Sequence, residues 1–181
     1  MNNYYDKYIL NISNKIKNFD EKKISIVEKK IIELKKKKNK IIFFGNGGSA
    51  SLSNHFSVDF NKNLRINTLT FNETIITCFG NDFGYDNWMK KAIELNANKG
   101  DIIVFTSSSG NSANHLKAAK FCKNKNFFSI SFTGFNANKL SKITNISFIV
   151  NSKNYNIIEN THSIWMLMIL DKIKNFKIFS L

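Results

Sequence analysis

The chain reads as an α/β protein whose parallel sheet is covered by helices on both faces. Three observations predict this. Short continuous apolar runs, Ile41-Ile42-Phe43-Phe44 and Ile102-Ile103-Val104-Phe105, have the character of strands buried on both sides. Segments with helical spacing of apolar residues alternate with such runs, as they do when helices wind across a parallel sheet. Both runs end in turn-rich loops, Gly45 to Ser49 and Thr106 to Ser112, and in open parallel sheets ligands bind beyond the carboxyl ends of the strands.

The first forty residues read as two helices. Tyr8, Ile9, Ile12 and Ile16 recur at helical spacing, and Ile24, Ile26, Val27, Ile31, Ile32 and Leu34 give a broad apolar face. Asp20, between them, suits an N-cap. The strand Ile41 to Phe44 follows, and a helix is predicted from about Ser49 to Phe60. Thr68 to Thr70 and Ile75 to Phe79 read as extended segments. Asn81 to Tyr85 reads as a loop, and Asp86 to Leu95 as a helix. Then come a strand at Asp101 to Phe105, a helix at Ala113 to Lys123, strands at Phe127 to Phe132 and Ile146 to Val150, and a long helix from Tyr155 to about Phe176.

The 181 residues suit one domain spanning 1–181, and 43% hydrophobic content supplies a core. Cys78 and Cys122 have no metal-type spacing, cannot build a disulfide framework, and read as small buried residues of a reducing cytoplasm. The N-terminus lacks a secretory apolar core, and no apolar run is long enough to cross a bilayer, so no membrane partner is expected. Lys and Arg number 27 against 13 Asp and Glu, a net charge of +14. Nucleic-acid binding would use such charge, but the lysines are spread along the chain. They read as solvated helix faces, with Lys35 to Lys38 at a helix C-terminus where the dipole favours cations.

The loop Ser107-Ser108-Ser109-Gly110-Asn111-Ser112 carries the strongest chemical signal. A helix N-terminus offers free N–H groups and positive potential to a phosphate, and Ser107, Ser108, Ser109 and Ser112 add four hydroxyl donors. An ordinary N-cap needs only one of them. The loop Gly45-Asn46-Gly47-Gly48-Ser49 is a second strand-to-helix turn. It matches neither a Walker A loop nor a dinucleotide fingerprint, so no nucleotide cofactor is implied. His115, one turn beyond the serine loop, is expected to face solvent or the edge of a phosphate.

Four segments, Gly45 to Ala50, His55-Phe56, Asn81 to Tyr85 and Ser107 to Ser112, resemble in order and spacing the motifs of the phosphoheptose isomerases, sedoheptulose 7-phosphate isomerases of the sugar isomerase (SIS) fold. The resemblance implies a flavodoxin-like three-layer sandwich preceded by two N-terminal helices. It implies a homotetramer with shared active sites, residues 1–39 contributing to the interface. Its activity is aldose–ketose isomerisation of sedoheptulose 7-phosphate to a glycero-manno-heptose 7-phosphate for surface polysaccharide such as lipopolysaccharide or capsule. Ser49, Ser107, Ser108, Ser109 and Ser112 would hold the phosphate, and Asn46, Gly47, Gly48, Asn81 and Asp82 would line the sugar site.

Family members carry out the proton transfer with a Glu and a His and often hold zinc. Here His55 matches the first metal-binding His, Asp59 stands at the Glu, Glu159 at a Gln, and Leu167 at the final His. The resemblance and the helical spacings together give His55, Asp59, Glu159 and His162 as a candidate Zn²⁺ set. Asp59, Glu159 and His162 are the candidate acid–base groups. Two functions follow from these residues: an isomerase, or a non-catalytic SIS protein that senses a sugar phosphate or assembles protein or DNA partners.

Overall fold

The computed structural model describes residues 3–136 and 138–175. Two helices, α1 (Tyr4–Lys17) and α2 (Glu21–Lys36), precede the first strand. Asp20 caps α2 by accepting from the Lys23 N–H at 3.1 Å. Then follow β1 (Lys40–Gly45), α3 (Gly48–Leu64), β2 (Asn67–Leu69), α4 (Glu73–Phe83), α5 (Trp88–Asn96), β3 (Ile102–Ser107), α6 (Ala113–Asn124), β4 (Phe128–Gly134), β5 (Ile146–Val150) and α7 (Tyr155–Ile173). Phe176, the expected end of the last helix, lies outside the described residues.

All five strands are parallel, in the order β2-β1-β3-β4-β5. This is the flavodoxin-like order, with its reversal between β1 and β3. Side chains alternate across the sheet. Ile41, Phe43, Ile102, Val104, Ile130 and Phe132 face α2, α3 and α7, while Ile42, Phe44, Ile103 and Phe105 face α5 and α6. The continuous apolar runs are therefore strands with both faces buried, as their composition predicted.

Two expectations on the chain between β2 and β3 are corrected. Ile75 to Phe79 is not extended, and Asn81 to Phe83 is not loop; both belong to α4. The β-branched run concealed a helical face, since Ile75, Ile76 and Phe79 lean on the α5–α6 core and Phe79 meets Phe83 one turn on, ring edge to face. Asn72 starts the helix by accepting from the Ile75 N–H at 3.1 Å. The same geometry corrects Cys78. It lies on the outer side of α4, exposed, with its thiol 3.6 Å from Asp82, whose charge raises the thiol pKa; Cys122 is buried as expected.

Each helical layer holds one sealed histidine. His115 on α6 packs edge-on against Phe105, and His162 on α7 packs edge-on against Phe132; both are fully buried. This corrects the expectation that His115 faces solvent or phosphate. Burial pushes each imidazole pKa down to about 4. An unfolded chain takes up these protons near pH ~6.5, whereas the folded chain refuses them until about pH 4. Their contribution is complete above ~6.5 and is lost as the pH falls through that window. Urea unfolding at about pH 7, 6 and 5 should show stability dropping with a slope that approaches two protons, roughly 2.7 kcal/mol per pH unit. A flat profile would mean that the two imidazoles are not held neutral.

Candidate functional site

The loops after β1 and β3 meet at the reversal of strand order. They are joined from beneath by Thr106. Its hydroxyl lies 3.0 Å from the Phe44 carbonyl and 2.9 Å from the Ser49 carbonyl, and 2.6 Å from the Ser53 hydroxyl. Gly45 is required here, because a Cβ would drive into the Ser49 backbone. The serine loop is braced from the other side. Gly110 has a φ of +61°, its carbonyl accepts from the Leu140 N–H at 3.0 Å, and a Cβ on it would strike the buried Asn138 side chain. The Asn111 carboxamide oxygen accepts from the Lys139 N–H at 3.0 Å.

Helix capping separates this site from the rest of the molecule. Helices α1, α2, α4 and α7 are each capped by an Asn or Asp side chain, whereas α3, starting at Gly47, and α6, starting at Ser112, have no side-chain cap. Ser112 occupies the N-cap position without using its hydroxyl as one. Two helix starts beside clustered hydroxyls thus keep their donors and positive potential for something else.

The serines divide by role. Ser49, Ser107 and Ser108 are buried, at 3%, 5% and 5% exposure. The Ser107 hydroxyl accepts from the Gly110 N–H at 3.2 Å, and that of Ser109 from the Asn111 N–H at 3.3 Å, so both shape the turn. The hydroxyls of Ser108 and Ser49 donate to Glu159 Oε1, at 3.1 and 3.4 Å. The Glu159 carboxylate also covers Gly48, where a Cβ would come within 2.6 Å of Oε2. Glu159 therefore reaches from α7 across both loops, a placement that its sequence position alone did not give.

The other candidates lie around this centre. Asn46 is half-buried on the first loop and hydrogen-bonded to Asn114 and Tyr85. Asn81 and Asp82 are exposed on the last turn of α4 and bonded to each other at 3.2 Å. His55 and Asp59 form a pair on the outer flank of α3, Nε2 to Oδ2 at 3.0 Å.

His162 does not join either group. Its expected sharing of a face with Glu159 gives way to the α7 core stripe Ile158, His162, Trp165 and Ile169, and neither ring nitrogen has a partner. Among the described residues no three His, Cys, Asp or Glu side chains gather as a metal cage, so the four-residue zinc set does not fit together within one chain. Only His55 and Asp59 stand as adjacent donors.

Known proteins with this architecture share its sequence as well. The SIS domain family matches residues 4–134, a span that contains both loops. The phosphoheptose isomerase of Aneurinibacillus thermoaerophilus is 31% identical over 175 residues, covering 90% of this chain and 88% of that protein. The probable phosphoheptose isomerase of Thermoplasma acidophilum is 34% identical over 152 residues, covering 80% of this chain and 84% of that one. Among solved structures, the phosphoheptose isomerase of Neisseria gonorrhoeae superposes with a TM-score of 0.87 at 23% identity over 95% of each chain, a likeness of fold. The chain belongs to the SIS domain family and, within it, to the phosphoheptose isomerases.

Proposed function

We propose that this chain interconverts sedoheptulose 7-phosphate and a glycero-manno-heptose 7-phosphate, feeding heptose into surface polysaccharide. One observation carries the reading: two uncapped helix starts and buried serines converge where the strand order reverses, in a chain that its relatives identify as a sugar-phosphate isomerase. That arrangement suits a phosphate dianion, which takes hydroxyl and N–H donors and the positive helix ends together. A purely sensory or scaffolding role has no feature of the site in its favour.

The reaction needs a base for a carbon-bound proton and donors for the oxygen that gains charge. Glu159 is the carboxylate in reach of the loops. Ser49 and Ser108 cannot satisfy it and a phosphate fully at once, and like charges ~4 Å apart repel by about 4 kcal/mol at an effective dielectric of ~20. Phosphate binding therefore turns the carboxylate away from the serines, toward the sugar. Asp59, held by His55 on the outer flank of α3, is the second carboxylate. With the neighbouring Val58 at 62% exposure, and Tyr5 and Ile9 of α1 at 72% and 60%, that flank suits contact with another copy, as a homotetramer with shared sites requires. Zn²⁺ is proposed only at His55 and Asp59, and no chemical step depends on it. His162 lies too deep to touch substrate, so the proton transfers rest with Glu159 and Asp59.

Two outcomes follow. Ser108→Ala should weaken phosphosugar binding by about tenfold or more in titration calorimetry, the worth of one charge-assisted hydrogen bond; unchanged affinity would remove the phosphate from this loop. Glu159→Gln should lower kcat for sedoheptulose 7-phosphate by about a hundredfold or more, followed by NMR of the aldose product. Because the amide no longer repels the dianion, phosphosugar affinity should hold or improve. A Gln variant as fast as the parent would exclude Glu159 as the base, and Asp59→Asn would then be the variant that stops turnover.

A further inference from the structure

Behind the first loop, Asn46 and Asn114 form a reciprocal amide pair. Asn46 Nδ2 donates to Asn114 Oδ1, and Asn114 Nδ2 donates to Asn46 Oδ1, both at 3.1 Å. Asn114 lies in the first turn of α6 and is 1% exposed. Such a pair can sit either way round unless something outside it breaks the symmetry. Here the backbone does. The His115 N–H donates to Asn114 Oδ1 at 2.9 Å, and an N–H can only donate, so an oxygen must stand there. The His115 ring nitrogen Nδ1 lies 3.2 Å from the same oxygen and therefore carries the proton of the neutral imidazole.

The orientation propagates outward. With its oxygen fixed, Asn114 turns its NH₂ to Asn46, and Asn46 must answer with Oδ1. The Tyr85 hydroxyl donates to that same Oδ1 at 3.3 Å. Both lone pairs of the Asn46 oxygen are then used, as is one of its two amide protons. One polar valence is left on Asn46, an N–H.

We infer that Asn114 and Tyr85 are positioning residues that make Asn46 a one-way hydrogen-bond donor to an oxygen of the sugar. This rests on the phosphosugar isomerase reading. In that reaction a base removes a proton from the hydroxyl-bearing carbon beside the ketone. The C–H electron pair becomes the carbon–carbon double bond, and the carbonyl π pair moves onto oxygen as an enediolate. The proton then returns to the former carbonyl carbon, and the hydroxyl proton of the first carbon passes to the second oxygen. The oxygen that gains charge needs a fixed donor, whereas an amide free to flip would also present its own oxygen and repel it.

The test uses the full chain, with sedoheptulose 7-phosphate turnover, binding of inorganic phosphate, and binding of a phosphorylated hydroxamate as an enediolate analogue. Asn114→Asp keeps the size and still accepts from His115 but cannot donate to Asn46. It should lower kcat by about tenfold to a hundredfold with KM little changed. Hydroxamate affinity should fall in parallel while phosphate affinity holds. Tyr85→Phe should shift the same readouts in the same direction by less, because Asn114 still orients the amide. Wild-type kcat and hydroxamate affinity in both variants would overturn the inference. So would a loss of phosphate affinity in proportion to the rest, which marks a merely structural pair. If the parent protein does not turn over sedoheptulose 7-phosphate, the substrate assignment fails, and the contrast between hydroxamate and phosphate binding still decides the role of Asn114.

Discussion

Everything at this site depends on the reversal of strand order between β1 and β3. Connections from these neighbouring strands leave in opposite directions, so their following loops open a crevice instead of packing on each other. An open crevice in a close-packed protein needs a tie. Thr106 supplies it with one buried hydroxyl that contacts the Phe44 carbonyl, the Ser49 carbonyl and the Ser53 hydroxyl. Loss of that hydroxyl would leave backbone carbonyls of the first loop unpaired in a dry place, a cost of about 1–3 kcal/mol. The serines can therefore serve a ligand because the loops under them are already held by other groups.

Capping tells the same story from the side of energetics. An Asn or Asp cap contributes about 1 kcal/mol to a helix, and this chain uses one on α1, α2, α4 and α7. It forgoes a side-chain cap on α3 and α6, the two helices whose starts face the crevice. Stability is given up where binding is gained. The bracing by Asn138 and by the Asn111–Lys139 contact offsets part of that loss and keeps Gly110 in its left-handed conformation.

The sheet and both loops were legible in the sequence because their signals are local. Ile41 to Phe44 and Ile102 to Phe105 need no tertiary information to read as doubly buried strands. The α4 segment was not legible in the same way. Ile75-Ile76-Thr77 favours strands by propensity, and only the neighbouring α5–α6 core decides that its apolar residues lie one helical turn apart on one face. The histidines were misread for a related reason. Spacing on α7 places His162 near Glu159 along the helix, but a helix buried along a broad stripe takes in residues on both sides of its centre, and His162 falls within that stripe. Asn114 and Tyr85 carried no motif of their own. Their importance comes from hydrogen-bond partners 68 and 39 residues away from them in the chain, contacts that no window of sequence contains.

The charge of the chain and the charge of the site act on different length scales. A net +14 spread over the surface attracts an anionic substrate from a distance, but ions screen that field within about 8 Å at physiological salt. Inside the crevice a single carboxylate, Glu159, outweighs it, because repulsion at contact distance through a low dielectric exceeds any screened attraction from scattered lysines. Lysines can hasten the encounter, yet they cannot hold the phosphate. That task falls to groups within hydrogen-bonding distance: serine hydroxyls and helix N-termini, neutral donors that do not bind a competing counter-ion of their own. A site built from neutral dipoles also leaves a carboxylate beside it ionised and available as a base, where a lysine or arginine in the same position would have paired with it.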